Sequence, residues 1–233
     1  MNKLFNGAFL VALAASCYGL LTTFVKLAYQ DNYTTYEVTF SQLLIGFIAL
    51  VILNLFIKKE SKPVESKSVR QKSILSLILS GTSLGFTSVF YYLAVQTITV
   101  SVGIVLLMQS VWIGVVIDGL INKVKPTKRK LFSVGLILIG TVLAADLLIE
   151  DQKVDLVGIA YGFLAALSYT VTMFTSNRVA LQYHSITRSK WMMLGGLFIA
   201  IIYTLVSIKG DFDFGIFKLW GPILALFGTI LPP

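Results

Sequence analysis

The chain has little charge, almost no histidine and a single cysteine. Only 13% of its 233 residues are Asp, Glu, Lys or Arg, about half the share found in soluble domains. Cys17 alone excludes an intramolecular disulfide, and with His184 as the one histidine no metal-ligand cluster can be assembled. The sequence contains no phosphate-binding glycine loop and no paired nucleophile and base. We therefore expect no enzyme, no cofactor and no metal site.

Apolar residues dominate instead, making up 56% of the chain. A soluble protein would have to expose too much of this surface to water, so the composition indicates an all-α polytopic protein of the lipid bilayer. The net charge of +8 does not indicate nucleic acid, because the basic residues cluster in short segments between apolar runs. Membrane topology requires that distribution.

The apolar runs predict a series of membrane-crossing helices. A helix of about 20 residues crosses the hydrocarbon layer, so the charge-free segment Ser73–Ile117 is predicted to hold two helices with a turn at Gln96–Thr99. The first of these two contains Gly81 and Gly85, a spacing that allows close helix approach. The polar stretch Lys58–Lys72 is expected to be a flexible linker. The other predicted crossings are Leu4–Val25, Val38–Ile57, Leu131–Ala145, Leu156–Asn177 and Trp191–Ile208, with a shorter run from Leu219.

Basic and acidic loops alternate along the chain. The N-terminus and the loops after the second, fourth and sixth helices hold 15 of the 19 Lys and Arg residues, and the other loops hold most of the acids. Because basic loops stay on the cytoplasmic side, we expect a cytoplasmic N-terminus. The expected location is a bacterial inner (plasma) membrane.

The sequence of the first predicted helix is partly repeated later in the chain. A shift of 151 positions places five residues on identical ones. The first unit, residues 4–148, contains an odd number of predicted helices, so a second copy, residues 156–233, would enter the membrane inverted. Inverted repeats of this kind are typical of secondary transporters. The second copy is expected to be incomplete, with two helices and the start of a third. The matched pairs are Gly7 with Gly158, Leu13 with Leu164, Ala14 with Ala165, Ala15 with Ala166, and Tyr18 with Tyr169.

Several stretches carry a family resemblance. They are SCYGLLTTFVKLA in the first helix, GFTSVFYYLAVQTITVSVGIVLLMQSVW across the third and fourth, LFSVGLILIGTVL in the fifth, VGIAYGFLAALSYTV in the sixth, and FGTILPP at the end. In this order and spacing they resemble the EamA-type branch of the drug/metabolite transporter (DMT) superfamily. The resemblance implies a fold of ten helices in two inverted five-helix repeats, of which about 7–8 helices are present here. The chain departs from the family at Ser110, where proline is frequent, and at Lys123-Val124-Lys125, where a Glu-Arg pair is frequent.

This resemblance implies a secondary transporter of small organic metabolites that works by alternating access. No charged residue lies at the centre of a predicted helix, which favours amino-acid-like, amphipathic or drug-like solutes over strongly charged ones. We expect export. The alternatives are import of a quaternary amine-type solute and a truncated, non-transporting membrane protein that needs a partner chain. Proton coupling and a homodimer are compatible with either form of transport.

Polar and aromatic residues at mid-membrane depth are the candidate cavity residues. Four of them are related by the repeat, and Gln109 and Trp112 lie three apart on one helix face. The alternative for each is a hydrogen bond to a neighbouring helix. The four repeat-related residues are Tyr18, Thr22, Tyr169 and Thr172.

Three further residues are candidates for gating or coupling. Gln42 and Lys190 stand at matching helix entrances, where snorkelling to the interface is the alternative role. Asp118 is a candidate for proton coupling, with an interfacial ion pair to nearby Lys123 as the alternative. The adjacent Tyr91 and Tyr92 are predicted to belong to an interfacial aromatic belt.

Overall fold

The computed structural model describes residues 3–56, 67–123, 125–144, 155–208 and 210–230, and within them it contains helices and no strand. A 3₁₀ turn at Phe214–Phe217 precedes the last helix, which continues into a π-helical turn at Leu226–Ile230. The helices are α1 Lys3–Gln30, α2 Thr35–Phe56, α3 Lys67–Thr97, α4 Val100–Met108, α5 Ser110–Asn122, α6 Lys128–Ala144, α7 Leu156–Ser176, α8 Ser185–Ser207 and α9 Trp220–Ala225.

Five segments of the described chain are long and apolar enough to cross a bilayer. They are α2, α3, the continuous pair α4–α5, α7 and α8. This confirms the prediction of an all-α polytopic membrane fold. The helix α6 is described over 17 residues, which is near the lower limit for a crossing helix.

Two helices begin six residues earlier than the apolar runs predict. The helix α3 starts at Lys67 and not at Ser73, so the prediction of a flexible linker is wrong for residues 67–72. Residues 58–66 lie outside the described part of the chain. Similarly, α8 starts at Ser185, ahead of Trp191, and His184 caps it by accepting the Ile186 N–H at 3.4 Å. The apolar run marks the hydrocarbon thickness, whereas the helix continues into the interface because its backbone groups still need partners.

The predicted turn in the long charge-free segment is confirmed. Between α3 and α4 the chain leaves the helix at Ile98 and Thr99, and the Thr99 hydroxyl caps α4 by accepting the Val102 N–H at 3.4 Å. A second interruption, which the sequence does not predict, falls at Gln109 between α4 and α5. There the Gln109 N–H bonds to Leu106 at 3.1 Å, a tighter turn than the α-helix makes.

The helix α3 lies at the centre of the described molecule and packs along both α7 and α8. Glycines allow the close contact with α8: a Cβ on Gly85 would lie 2.6 Å from the Gly196 carbonyl oxygen. Gly81 meets the backbone of Met192, and Gly195 meets the backbone of Ile78. The close approach indicated by the Gly81–Gly85 spacing is therefore present, since backbone touches backbone at these positions.

Helices from the first half of the chain, α1 to α3, pack against helices from the second half, α7 to α9. While α3 packs on α7 and α8, the last helix α9 packs on α1 and α2. Charged residues separate to opposite ends of the bundle. We call the end that carries Asp31, Glu37, Asp155 and Asp213 the acidic end, and the end that carries Lys67–Lys72, Lys123–Lys130 and Arg178–Lys190 the basic end.

Candidate functional site

A small cavity lies in the interior where α2, α3 and α7 meet the π-helical turn. It has a volume of about 40 Å³, and no charged side chain lines it. Such a space accommodates one or two water molecules. We call it the central cavity. Its lining residues are Gln42, Leu43, Leu84, Thr87, Ser88, Tyr169 and Gly228.

Gln42 and Thr87 are the most deeply buried polar residues of this cavity. Gln42 lies two turns inside α2 and is 2% exposed, because α2 begins at Thr35 rather than at the predicted Val38. Its side-chain oxygen accepts a hydrogen bond from the Tyr92 hydroxyl. The backbone of Gly228 packs directly on its amide nitrogen, where any Cβ would overlap it. Glycine at this position is what lets the π-helical turn reach the Gln42 amide.

The two adjacent tyrosines of α3 are buried, so the prediction of an interfacial belt is wrong. Tyr91 and Tyr92 are each 1% exposed. The Tyr91 hydroxyl is 3.0 Å from the Thr22 hydroxyl, and the Tyr92 carbonyl accepts from the Tyr29 hydroxyl at 3.1 Å. Aromatic residues at the end of an apolar run typically mark the interface, but here α1 and α2 cover this end of α3 and supply polar partners.

A second polar cluster joins α3 to α7. The Ser83 and Thr172 hydroxyls are 2.7 Å apart, and the Ser168 hydroxyl donates to the Ser83 carbonyl at 2.8 Å. On another side of α7, the Thr170 hydroxyl donates to the Ser110 carbonyl of α5 at 3.4 Å. The candidate Thr172 thus lies in a helix interface beside the central cavity and does not line it.

The structure brings only some of the cavity candidates together. Tyr169 lines the central cavity beside Gln42, whereas Thr22 is buried against Tyr91. The backbone of Tyr18 lies in α1, and its side chain is outside the described part of the structure.

Gln109 and Trp112 lie away from the central cavity. The Trp112 indole N–H donates to the Gln109 side-chain oxygen at 2.8 Å, and the Gln109 amide donates to the Val105 carbonyl at 3.0 Å. Their shared helix face was predicted, and it opens toward α6. The amide and indole bond to each other at the helix interruption, and Trp112 remains 36% exposed.

Comparison with known proteins decides the family. The model of the EamA-like transporter family matches residues 5–145, well over half of the chain. The chain belongs to the EamA-like transporter family. Neither the curated proteins nor the solved structures that were compared gave a match. Membership makes this EamA-like chain a membrane transporter of small molecules within the DMT superfamily.

At the basic end of the EamA-like chain, Asp118 joins three elements. Its carboxylate pairs with Lys130 at 2.8 Å and with Arg178 at 3.0 Å, and the Asn122 amide donates to it at 2.7 Å. The alternative role of Asp118 as an interfacial ion pair is therefore borne out, but its partners come from α6 and the end of α7 and not from Lys123. Lys190, the other candidate at this end, has its ammonium 4.8 Å from the centre of a Trp191 ring.

At the acidic end of the EamA-like chain, a buried carboxylate that the sequence analysis missed links α2 to the segment before the 3₁₀ turn. Glu37 is 3% exposed and accepts from the Thr34 N–H at 2.8 Å and from the Thr34 hydroxyl at 2.6 Å. Its other oxygen accepts from the Asp213 N–H at 2.8 Å. Thr34-Thr35-Tyr36-Glu37 matches the capping-box pattern, which could have identified it as a helix start.

A second hydrogen bond and a cluster of aromatic rings add to this link. The Trp220 indole donates to Asp31 at 2.8 Å. The ring of Phe212 lies 5.7 Å from that of Phe40 and 6.1 Å from that of Phe217. No group of three His, Cys, Asp or Glu residues within the described ranges is placed to hold a metal ion.

Proposed function

We propose that this EamA-like chain exports neutral or zwitterionic small organic solutes through the central cavity, by alternating access between two inverted units, residues 4–148 and 156–233. The observation that carries the proposal is the composition of the cavity wall. Gln42, Thr87 and Ser88 come from α2 and α3, Tyr169 comes from α7, and Gly228 comes from the π-helical turn. Transporters with inverted repeats bind solute at such a junction between units.

The cavity wall offers hydrogen bonds without charge. The Gln42 amide and the hydroxyls of Ser88 and Tyr169 can donate or accept. The Thr87 hydroxyl can accept, because it already donates to the Ser83 carbonyl, and Leu43 and Leu84 supply the apolar part. A strongly charged solute would lack a compensating charge here, at a high cost in a membrane interior. An amino-acid-like or amphipathic solute with a compact polar group fits this wall best.

The small size of the cavity and the hydrogen bonds across the acidic end support alternating access. A volume of about 40 Å³ is far below the several hundred Å³ of an occupied ligand site, so the helices must separate to admit a solute. Glu37 with the Asp213 backbone, and Asp31 with Trp220, hold the acidic end shut. The alternating packing of α3 on α8 and of α9 on α2 supports two units that rock about a shared axis.

Proton coupling through Asp118 is not part of the proposal. Asp118 lies at the basic end, outside the cavity wall, and Lys130 and Arg178 both neutralise it. The cavity contacts none of these three residues.

The test is solute counterflow in proteoliposomes containing the purified chain, with a panel of labelled neutral amino acids and amphipathic amines. Tyr169→Phe should weaken uptake of the transported solute about five- to tenfold, the worth of one hydrogen bond in an apolar site. Tyr203→Phe, on α8 outside the cavity wall, is the matched control. Oriented vesicles loaded from one side give the direction. Uptake that is identical in wild type and Tyr169→Phe, or absent for every solute, contradicts the proposal.

A further inference from the structure

A second and larger cavity lies apart from the central one, between the end of α5 and the start of α6. Its volume is about 380 Å³, within the range of small-ligand sites. Apolar side chains such as Val116, Leu131 and Val134 form its walls, and Lys123 and Lys125 stand at its edge. We call it the α5–α6 groove.

The two lysines at the edge are available to an anion. Residues 118–130 contain five basic side chains and one acidic side chain. That acid, Asp118, pairs with Lys130 and Arg178. Neither Lys123 nor Lys125 forms an ion pair with any residue that the structure describes, and both side chains are exposed.

The walls of the groove continue into exposed apolar surface. Leu120 is 73% exposed, Leu131 53% and Phe132 74%, and such residues on a membrane-crossing bundle meet acyl chains. A soluble anion would reach the lysines but leave the apolar walls unfilled. The groove therefore combines an apolar wall with a cationic edge where the helix ends meet the interface, as an anionic amphipath of the bilayer requires.

We propose that the α5–α6 groove binds one anionic phospholipid. An acyl chain lies along Val116, Leu131 and Val134, and the ammonium groups of Lys123 and Lys125 hold the phosphate. The site is independent of the central cavity, so it stands whether or not the proposed solutes are transported.

Trp112 lines the same groove and makes the site measurable. The chain has three tryptophans, so in a Trp191→Phe/Trp220→Phe background Trp112 is the tryptophan that remains. The purified protein is reconstituted in phosphatidylcholine vesicles that contain increasing fractions of brominated phosphatidylglycerol or brominated phosphatidylcholine. We expect half-maximal quenching at roughly tenfold lower mole fraction of the anionic lipid, since each lysine near an anionic surface adds to binding.

Two variants separate a built site from general charge attraction. Lys123→Gln/Lys125→Gln should bring the quenching by brominated phosphatidylglycerol down to that by brominated phosphatidylcholine. Lys128→Gln/Arg129→Gln removes the same charge from the same end, but these two residues do not line the groove, so the preference should persist. Equal quenching of the parent protein by both lipids overturns the proposal and indicates ordinary annular contact. A preference that survives the first variant, or that the second variant abolishes equally, overturns it too.

Discussion

Several hydroxyl and amide groups in the interior of the EamA-like chain are paired between helices. Tyr91 bonds to Thr22 of α1, and Tyr92 bonds to Gln42 of α2. Among the described residues no buried side-chain nitrogen or oxygen lacks a partner. In the bilayer core an unpaired polar group has no water to form a hydrogen bond with. Each of these pairs therefore fixes the position of one helix against another.

The Thr22–Tyr91 bond predicts a measurable coupling. Tyr91→Phe removes a hydroxyl and leaves Thr22 without its cross-helix partner, so it should lower the free energy of unfolding by about 0.5–1.5 kcal/mol. Thr22→Val should have a similar effect, and the double variant should lose less than the sum of the two. Denaturant unfolding in detergent measures the cycle, with Tyr36→Phe as a half-buried control. Strict additivity of the two substitutions would show that the bond contributes nothing.

The closure at the acidic end predicts a larger effect at Glu37. Glu37→Gln keeps the shape but replaces one acceptor oxygen by a donor that faces the Thr34 or Asp213 N–H. We expect the free energy of unfolding to fall by about 1–3 kcal/mol, because the bonds to a charged acceptor are among the stronger ones. Asp211→Asn, exposed at the same end, is the control and should change little. Equal thermal stability of Glu37→Gln and the parent would contradict a clamping role.

At the scale of elements, the sequence predicted the five segments that are long and apolar enough to cross the membrane, but not where their helices begin. The apolar segment Ser73–Ile117 is long enough for two crossing helices, and the polar residues Gln96–Thr99 indicated where the turn between them lies. The early starts at Lys67 and Ser185 were not predicted, because backbone hydrogen bonding and not hydropathy decides where a helix begins. The interruption at Gln109 carries no glycine or proline signal, so nothing in the local sequence marked it.

The glycine contact between α3 and α8 predicts opposite outcomes for the same substitution on two helices. A methyl group at Gly195 would overlap the Ile78 carbonyl, whereas one at Gly135 on α6 has nothing within 4 Å. Gly195→Ala should lower the free energy of unfolding by about 1–3 kcal/mol through overpacking. Gly135→Ala should raise it by about 0.5–1 kcal/mol, since alanine favours the helix. Thermal unfolding in detergent compares them, and a stabilising Gly195→Ala would mean that α3 and α8 can separate without loss.

The start of α7 predicts a stability that depends on pH. Asp155 caps α7 through the Val157 N–H at 3.1 Å. The hydrogen bond from the Thr97 side chain, followed by those from the Val157 and Gly158 N–H groups, holds the Asp155 pKa below its ordinary value. The folded-state pKa is the lower one, so the contribution is complete above the unfolded value of about 3.9 and is lost as the pH falls through the folded value.

Asp155→Asn tests this linkage. Asparagine still caps a helix but does not titrate, so the variant should lose less stability than the parent between pH 5 and pH 3 (roughly the range in which an aspartate titrates). The measurement is the unfolding midpoint at each pH for both proteins, because their difference removes the carboxylates they share. Curves that run parallel through this range would show that Asp155 makes no pH-linked contribution.

At the scale of the whole molecule, the central cavity shows where sequence reasoning reached its limit. The repeat directed attention to Tyr169, which lines the cavity, and to Thr172, which lies beside it in the α3–α7 interface. Gln42 was noticed as an entrance residue only, since the start of α2 was placed too late. Periodicity shows which face of a helix is apolar, but it does not show which other helix covers that face. The partners of Tyr91, Tyr92 and Glu37 therefore had to come from the fold.

The separation of charge between the two ends predicts how the molecule sits in its membrane. Basic loops remain in the cytoplasm, so the basic end should face inward and the acidic end outward. Single cysteines at Lys128 and Asp211, both exposed, report on the two ends in a Cys17→Ser background. An impermeant maleimide applied to intact cells should label Asp211→Cys at once, and Lys128→Cys only after the membrane is opened. The reverse pattern would place the N-terminus outside and invert the proposed closure, with Glu37 then sealing the cytoplasmic entrance. Labelling of both cysteines in intact cells would mean that the two ends share one side, which the crossing helices of this fold do not allow.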